Sequence, residues 1–293
     1  MTSKIRASIV IPTYERPSKL EQTLGSVCDQ TADNYEIIVV DDGSESKNQH
    51  DVLRRFEEQG HVQVLRQENS GPAAARNRGW RRAAGEFILF TDDDCIVPRD
   101  WVHSLVAGFE PGVAAVGGSL VPLEELLRNN RFAQAHRFRD QMSYDEPDEP
   151  VRDEGDLAVG GTANVAYRRS VLSEMDGFDE SFPLAAGEDA DLQRRVVEAG
   201  FDMKYIPISV EHNDDYSWES FVSRAIRSGE GTHHFHQKHG GSRTIPRILF
   251  GLFGSLAYLP LALQQSKNLD VSFLYVLERM LNRVGELKST INS

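Results

Sequence analysis

Three consecutive acidic residues, Asp92, Asp93 and Asp94, directly follow a short apolar run from Phe87 to Phe90. The run is too short for a helix and therefore predicts a buried strand. Carboxylates crowded at the end of a strand repel one another unless solvent or a cation compensates, and hard oxygen ligands suit Mg²⁺ or Mn²⁺. The triplet thus indicates a metal site. An ordinary acidic turn is the alternative, because aspartate is common in loops.

A second acidic pair, Asp41 and Asp42, ends another apolar run at residues 35–40. Nearly continuous apolar runs are typical of strands that a parallel sheet buries on both faces. Functional sites of such sheets lie at the carboxyl ends of the strands. The pair and the triplet, about fifty positions apart in the sequence, can therefore face one crevice, and together they favour a metal or nucleotide site.

The elements that must position these groups alternate along the amino-terminal part of the chain. Apolar runs predict strands at residues 7–12, 35–40, 62–66 and 87–90, and helical spacing or a helix-start signal predicts helices at 18–28, 51–59 and from Gly71-Pro72 onward. This alternation predicts right-handed crossovers with helices on both faces of a sheet. Farther on, residues 114–118 predict a strand, 123–139 a helix, and 205–212 a pair of strands ending at His212.

Length and charge limit the function classes. The 293 residues allow one large domain or two smaller ones. The net charge of −13 argues against a general nucleic-acid binder, although a local basic patch stays compatible with it. Cys28 and Cys95 lack ligand-like spacing, and the first residues lack the apolar core of a signal peptide. We therefore expect a reducing, cytoplasmic location.

Six motifs follow one another along residues 7–213. They are Val10-Ile11-Pro12-Thr13-Tyr14-Glu15-Arg16, Val39-Val40-Asp41-Asp42-Gly43-Ser44, Asn69-Ser70-Gly71-Pro72 with Ala75-Arg76-Asn77-Arg78-Gly79, Thr91-Asp92-Asp93-Asp94 ahead of Pro98, Gly177-Phe178-Asp179-Glu180, and Gly187-Glu188-Asp189-Ala190-Asp191-Leu192. Together they resemble the motifs of the family 2 glycosyltransferases of GT-A fold. The resemblance implies an α/β, Rossmann-like GT-A domain at residues 1–213, with a mostly parallel central sheet and helices on both faces. Its nucleotide-binding half would be about 1–98 and its acceptor half 99–213, followed by a helical extension at 214–293.

The resemblance implies an inverting transfer of a sugar from a nucleotide-sugar, expected to be a UDP-sugar, to an acceptor hydroxyl in polysaccharide or glycoconjugate synthesis. Charge builds on the departing diphosphate, and a divalent cation, Mn²⁺ or Mg²⁺, stabilises it. One aspartate of the triplet would bind the metal while a neighbour contacts the ribose. We expect Asp92 on the nucleotide and Asp93 or Asp94 on the metal. The run of three leaves the register open, so Asp93 is a candidate for either role.

Other nucleotide contacts are expected from the loop after the first strand, at Pro12, Thr13, Tyr14 and Arg16. Tyr14 can stack on the base, whereas Arg16 can equally be a surface charge. The resemblance also implies that Asp41 or Asp42 accepts a hydrogen bond from the ring N–H of the base; a solvated Asp-Asp-Gly turn is the alternative.

The helix that begins near Gly71 carries Arg76. Its guanidinium can reach a phosphate or a carboxylate of the triplet. The alternative is an exposed helical arginine in a basic cluster.

The acceptor side is expected to use Asp189 as the general base that takes the proton of the acceptor hydroxyl. Glu188 and Asn164 are expected to bind acceptor or donor hydroxyls. The alternatives are acids favoured in a first helical turn by the helix dipole, and an asparagine that holds a turn. His212 is expected to be a further metal ligand or a phosphate contact, with a purely structural histidine as the alternative.

The stretch from Ile248 to Leu263 is uncharged. At 1.5 Å per residue it would reach about 24 Å, short of a hydrocarbon core of roughly 30 Å. We expect either an interfacial or re-entrant contact with the cytoplasmic face of a membrane or a buried helix of a homodimer. A glycan or lipid-linked molecule is the expected acceptor.

Two other functions compete with glycosyl transfer. A sugar-phosphate nucleotidyltransferase shares the sheet, but it is expected to show a glycine-rich loop with a basic residue where this chain has Pro12-Thr13-Tyr14. A non-catalytic carbohydrate-binding relative is disfavoured, because both the acidic triplet and Asp189 are present.

Overall fold

The computed structural model of the protein describes residues 6–143, 146–153, 161–182, 186–241 and 243–292. The chain forms two compact units. The first comprises residues 1–121, 146–180 and 189–213, and the second residues 122–145, 181–188 and 214–293. The last change from one unit to the other thus falls at the predicted boundary after residue 213, while two earlier segments group with the carboxyl-terminal helices.

Strands and helices alternate through the first half of the chain, and helices dominate its last third. In chain order they are β1 Ala7–Thr13, α1 Pro17–Cys28, β2 Tyr35–Asp41, α2 Lys47–Glu58, β3 Gln63–Arg66, α3 Pro72–Arg82, β4 Phe87–Phe90, β5 Cys95–Ile96, α4 Trp101–Ala107, β6 Val113–Pro122, α5 Glu124–Asn129, α6 Arg131–Ser143, β7 Val151–Asp153, β8 Val165–Arg168, α7 Arg169–Glu174, α8 Glu188–Glu198, β9 Asp202–His212, α9 Trp218–Lys238, α10 Ile245–Gly254, α11 Leu259–Ser266 and α12 Leu269–Asn292. A 3₁₀ turn, Ser255–Tyr258, joins α10 to α11.

The strands of the described residues form one sheet in the order β3-β2-β1-β4-β8-β6-β9-β5, with β7 paired to β9. β1 to β4 pair in parallel. β8 is antiparallel to β4 and β6, and β9 is antiparallel to β5 and β7. The α/β sheet with its parallel amino-terminal half confirms the predicted fold class. The strand pair predicted at residues 205–212 is wrong in detail, because these residues belong to the single strand β9.

The two faces of the sheet carry separate apolar cores. Ile9, Ile11 and Leu89 face the core that α1, α2 and α4 cover, whereas Val10 and Phe90 face the core that α3, α7 and α8 cover. Successive residues of a strand point to opposite faces. Both sets are apolar because both faces are covered, and this is why the strands read as continuous apolar runs in the sequence.

The second unit is helical. α9 and α12 cross with their backbones in contact, since a Cβ added at Gly229 would lie 1.9 Å from the carbonyl oxygen of Asn282, and one at Gly285 would lie 2.0 Å from that of Ile226. Only glycine can occupy such positions. A second feature is the apolar segment, Ile245–Ser266, which comprises α10, the 3₁₀ turn and α11.

The apolar segment is 22 residues long, and among the described residues it is the one helical stretch long and apolar enough to cross a membrane. At 1.5 Å per residue it reaches about 33 Å. The predicted length of about 24 Å was too short, because helical structure continues beyond the uncharged run at both ends.

Candidate active site

The carboxyl ends of β1, β2 and β4 lie side by side. Thr13, the last residue of β1, is in register with Asp41, the last residue of β2. Val10 of β1 is in register with Phe90, the last residue of β4. The acidic triplet begins just beyond Phe90, so the acidic pair and the triplet lie at the same edge of the sheet. Ligand sites of parallel sheets occur at this edge.

Asp93 is buried and is held by the loop that follows β1. Its Oδ2 accepts a hydrogen bond of 2.7 Å from the Thr13 hydroxyl, which in turn accepts one of 2.8 Å from the side-chain amide of Gln49. Gln49, on α2, is fully buried and also accepts a bond from the Arg16 amide. Burial raises the pKa of Asp93 to about 6, although the Arg16 charge and the Thr13 bond lower it.

Asp94 lies among cationic groups. Antiparallel pairing of β5 with β9 sets Cys95 opposite His212, and Nε2 of His212 lies 3.4 Å from Oδ1 of Asp94. Arg16 donates to Oδ2 at 2.7 Å, and Lys19 lies 4.0 Å from that oxygen. Burial raises the pKa of Asp94, but the hydrogen bond and charge of His212, with the charges of Arg16 and Lys19, lower it further, so that the net shift is downward.

The pair of Asp94 and His212 fits a divalent cation. It offers a carboxylate oxygen and, when His212 is neutral, an imidazole nitrogen 3.4 Å from that oxygen, so both donors lie within the reach of one ion. Such oxygen and nitrogen donors can hold Mn²⁺. Asp93 is less suited, because burial raises its pKa and so disfavours the charged form that binds a metal. Asp94 with His212 is therefore the better-suited pair, and the metal-binding role of both residues stays a prediction.

Asp92 is bound by Arg76. The guanidinium donates from Nη2 to Oδ1 at 2.8 Å, and its carbon lies 5.8 Å from the centre of the Phe178 ring. The Arg76 side chain is only 5% exposed, while that of Asp92 is 31% exposed. The alternative of an exposed helical arginine is therefore wrong. Asp92 presents the more accessible carboxylate of the triplet.

Both carboxylates of the acidic pair are engaged. Asp41 accepts from the Ser44 amide at 3.1 Å and is almost completely buried. The Oδ1 of Asp42 accepts from Gln67 and from the Ser70 amide, and its Oδ2 accepts from the Gly71 amide at 2.8 Å. A carboxylate oxygen can accept two hydrogen bonds. In these contacts Oδ2 of Asp42 can therefore accept one more hydrogen bond. The bonds also connect the start of α3 to the end of β2.

The remaining predicted nucleotide contacts lie at the end of β1 and just after it. Pro12 and Thr13 are buried residues of β1, which corrects their predicted place in the loop, whereas Tyr14 is 49% exposed and can offer a ring face to a ligand. The Arg16 side chain is 48% exposed, but its guanidinium binds Asp94. Arg16 is therefore part of the acidic site as well as of the surface.

Asp189 lies near the start of α8. Its Oδ1 accepts from the Ala190 amide at 2.8 Å, a first-turn contact, and its Oδ2 would lie 3.4 Å from a Cβ on Gly161. Burial and the Asp189 charge raise the pKa of Tyr167. Tyr167 belongs to β8 and is in register with Ile88 of β4, the strand that the triplet follows. Glu188 is buried, and the roles of both acids stay predictions.

α8 is fixed to the motif that begins at Gly177. Arg195 donates to Asp191 at 2.8 Å and to the Gly177 carbonyl at 2.7 Å. The side-chain amide of Asn77, on α3, donates to the Phe178 carbonyl and accepts from the Phe178 amide. These contacts hold the helix that carries Asp189 against α3, the helix that carries Arg76. The sequence indicates these motifs separately and does not show that their residues bind one another.

Asn164 does not have the surroundings predicted for it. Its Oδ1 accepts from the indole N–H of Trp101 at 2.8 Å, and its Nδ2 donates to the carbonyls of Ser119 and Ile208. The residue is 1% exposed. Its amide is thus used inside the sheet, which argues against an acceptor contact and for a structural role. Gln49 is a buried contact of the site that the sequence does not indicate, because a single polar residue in a helix has no distinguishing pattern.

A parallel sheet with acidic groups at one edge, continued by antiparallel strands, defines a GT-A type domain. A profile described as "Glycosyl transferase family 2" matches residues 8–176. Because the match covers more than half of the chain, the protein belongs to glycosyl transferase family 2. This confirms the family suggested by the motifs.

Several known proteins are similar to the chain. It is 29% identical over 247 residues to the pre-mycofactocin glycosyltransferase of Mycobacterium tuberculosis (strain ATCC 25618 / H37Rv), covering 83% of this chain and 50% of that protein. It is 31% identical over 284 residues to the validoxylamine A glucosyltransferase of Streptomyces hygroscopicus subsp. jinggangensis (strain 5008), covering 85% of this chain and 65% of that protein. The chain thus spans between half and two thirds of these relatives.

Solved structures share the fold at low sequence identity. The mannosyltransferase PcManGT from Pyrobaculum calidifontis, in complex with GDP-Man and Mn²⁺, aligns with a TM-score of 0.68 and 17% identity over 98% of this chain and 88% of that one. GalNAc-T7 with UDP, GalNAc and Mn²⁺ aligns with a TM-score of 0.57 and 18% identity over 80% of this chain and 50% of that one. At this level of identity the alignments show the fold alone.

Proposed function

We propose that the protein is an inverting, metal-dependent glycosyltransferase that uses a UDP-sugar donor and transfers its sugar to a hydroxyl of a glycan, a glycoconjugate or a lipid-linked acceptor. The observation that carries the proposal is the cluster around Asp94, in which a charged carboxylate and the His212 imidazole stand at the edge of the sheet beside Arg16. The Mn²⁺ in the PcManGT and GalNAc-T7 structures supports the same cofactor for this chain.

The cationic groups around the triplet are suited to the departing diphosphate. A divalent ion held by Asp94 and His212 would supply positive charge to the leaving group, as Mn²⁺ or Mg²⁺ does in phosphate chemistry. Arg16 has a half-exposed side chain that can turn towards a phosphate, and guanidinium groups bind phosphate oxygens in pairs. Arg76 is buried and holds the Asp92 carboxylate in place, where it can accept from the ribose hydroxyls.

The acidic pair supports a uracil base in preference to guanine. Asp42 uses both positions of Oδ1 and one of Oδ2 for protein groups, so one position remains on Oδ2. Uracil presents a single ring N–H, whereas guanine presents a ring N–H and an amino group to a carboxylate. A carboxylate with one remaining position satisfies the uracil donor and leaves one guanine donor without a partner, which is costly in a closed pocket.

Asp189 is proposed to take the acceptor proton. An inverting displacement needs a base on the face opposite the leaving group, and that base must not be bound to the metal. Asp189 lies in the first turn of α8, and its Oδ2 lies next to Gly161, where an added Cβ would be 3.4 Å away. Removing its carboxylate should lower kcat by about 10²- to 10⁴-fold.

We place the enzyme in the cytoplasm, at the cytoplasmic face of a membrane. The cysteine usage and the apolar segment motivate this location. We propose a hexose or a related sugar as the transferred group.

The test is a nucleotide-release assay with the full chain. UDP-sugars and GDP-sugars are compared with Mn²⁺, with Mg²⁺ and after chelation, and product stereochemistry is read by NMR. We expect release of UDP with Mn²⁺, loss of activity with chelator, and at least about a hundredfold lower kcat in Asp189→Asn with little change in donor binding. Glu198→Gln is the matched control, because Glu198 is an exposed acid at the other end of α8.

Three results would contradict the proposal in different ways. Pyrophosphate formed from a sugar phosphate and a nucleoside triphosphate would indicate a nucleotidyltransferase. Sugar binding without turnover, unaffected by Asp189→Asn, would indicate a binding protein. Release of GDP in preference to UDP would leave glycosyl transfer in place and overturn the argument from Asp42.

A further inference from the structure

The apolar segment, Ile245–Ser266, has one side that is buried in the second unit. Ile248, Ser255 and Ala262 are each no more than 3% exposed. They are seven residues apart, about two turns of a helix, and therefore lie on one side of the segment. The segment packs against α12, which contacts α10, the 3₁₀ turn and α11.

The opposite side of the segment, which we call the outer face, is apolar and exposed. It consists of Leu249, Phe250, Phe253, Leu256 and Leu261, with exposed fractions of 38%, 80%, 67%, 53% and 42%. The exposed side of a helix in a soluble protein is normally polar. In this segment the side turned away from the protein is the more apolar one, and contiguous exposed apolar surface of this kind marks an interaction site.

The charges of the segment differ in sign from those of the whole chain. From Thr244 to Leu269 the sequence contains no acidic residue, and its only charged residues are Arg247 and Lys267 near the two ends. Both lie on the surface. The chain as a whole carries a net charge of −13. A neutral, apolar face with a cation near each end, on an otherwise acidic protein, complements an anionic lipid surface.

We propose that the apolar segment lies flat in the interface of a bilayer that contains anionic phospholipid, with its outer face among the upper acyl chains. This inference concerns an interaction surface and does not depend on the proposed donor or acceptor.

The segment is long enough to span a bilayer, but its neighbour α12 argues for a flat orientation. The guanidinium carbon of Arg279 lies 3.9 Å from the centre of the Tyr258 ring, at the middle of the segment. A Cβ on Gly251 would lie 3.2 Å from Nε of Arg283. A spanning segment would carry these charged groups into the hydrocarbon, which is costly. A flat segment leaves α12 on the aqueous side and immerses only the outer face.

The first test is sedimentation of the full chain with vesicles. Vesicles of phosphatidylcholine alone are compared with vesicles that also contain phosphatidylglycerol. We expect the wild type to sediment with the anionic vesicles, and the triple variant Phe250→Ser, Phe253→Ser, Leu256→Ser to bind at least about a hundredfold more weakly. Arg247→Gln and Lys267→Gln should each weaken binding about fivefold on anionic vesicles and leave binding to neutral vesicles unchanged.

The control variant is Ile291→Ser, which replaces an apolar residue that is 66% exposed but lies outside the outer face. It should bind vesicles like the wild type. Because all the substituted side chains are exposed, the urea midpoint of every variant should match that of the wild type, so lost binding cannot be ascribed to unfolding.

Several outcomes would overturn the proposal. The wild type could remain in the supernatant with both kinds of vesicle, or the triple variant could bind as well as the wild type. A wild type that is dimeric without lipid, together with a monomeric triple variant, would show that a second copy covers the outer face.

The orientation is tested separately. Cysteines placed at Thr244 and Asn268, in a Cys28→Ser, Cys95→Ser background, should react with an impermeant maleimide from the same side of the membrane. Reaction from opposite sides would show a spanning segment.

Discussion

The substitution Asn164→Ala separates a structural asparagine from an acceptor-binding one. In the structure its Oδ1 accepts from the Trp101 indole and its Nδ2 donates to two backbone carbonyls, at 2.8 to 2.9 Å. Alanine would leave the Trp101 N–H, which is fully buried, without an acceptor. An unsatisfied buried donor costs about 1–3 kcal/mol, and each carbonyl that loses its donor adds about 1 kcal/mol. We therefore expect the free energy of unfolding to fall by roughly 3–5 kcal/mol.

The measurement is urea unfolding followed by tryptophan fluorescence and by circular dichroism. Asn129→Ala is the matched control, because Asn129 is exposed and makes one long bond of 3.3 Å to a carbonyl of its own helix. Its unfolding free energy should change by no more than about 0.5 kcal/mol. Activity of Asn164→Ala, assayed well below its unfolding midpoint, should keep the acceptor KM of the wild type.

The opposite pattern would refute this reasoning. If Asn164→Ala unfolds at the wild-type urea concentration and its acceptor KM rises tenfold or more, the amide contacts the acceptor and the hydrogen bonds inside the sheet contribute little.

Three further predictions address the metal, the pH dependence and the backbone. Asp94→Asn should abolish the gain in melting temperature that Mn²⁺ gives in the presence of UDP, checked by thermal shift; an unchanged gain would place the ion elsewhere. In chelator, the contribution of Asp93 to the free energy of unfolding should fall as pH rises from about 4 to about 6, because the pKa of Asp93 is raised from 3.8 to about 6 and the folded state binds its proton more tightly; urea titrations should therefore show the wild type losing stability relative to Asp93→Asn over this range. Gly177→Ala should lower the free energy of unfolding by roughly 3 kcal/mol, because its Cβ would lie 2.3 Å from the side-chain oxygen of Asn77 at a φ of 71°. Gly200→Ala, with a φ of 84° and open space around it, should lower it by only about 1 kcal/mol. Equal losses in urea unfolding would contradict the clash.

The parallel strands of the sheet can be predicted from the sequence, because a strand that is buried on both faces is apolar at successive positions. Ile9 and Val10 belong to opposite cores, and both must be apolar. The antiparallel strands give a weaker sequence pattern. β5 has only two residues and β7 three, so neither gives a pattern. The helix predicted at 123–139 is interrupted because the Asn130 side chain accepts from the amides of Phe132 and Ala133 and starts α6, while the apolar spacing continues across the break.

The sequence predicts which residue types form the site, but it does not predict which of these residues bind one another. Asp93 and Asp94 are both buried. Asp93 is bound by Thr13, 80 positions away, and Asp94 meets an imidazole because Cys95 is in register with His212. These partners are set by strand pairing and not by local sequence. Asn164 shows the converse limit, because a small polar motif looks the same whether its amide faces a sugar or the interior of a sheet.

Two arginines balance the charges of the triplet. The carboxylates of Asp92 and Asp94 are bound by Arg76 and Arg16, which offsets the repulsion between neighbouring acids. The two arginines differ in freedom, since the Arg76 side chain is 5% exposed and that of Arg16 is 48% exposed. Burial holds Arg76 on Asp92, whereas the half-exposed Arg16 is less confined and binds Asp94, a buried carboxylate that also has Lys19 and His212 nearby. We propose that a divalent ion would take the place of Arg16 on Asp94, so that the guanidinium could bind the phosphates of the donor instead.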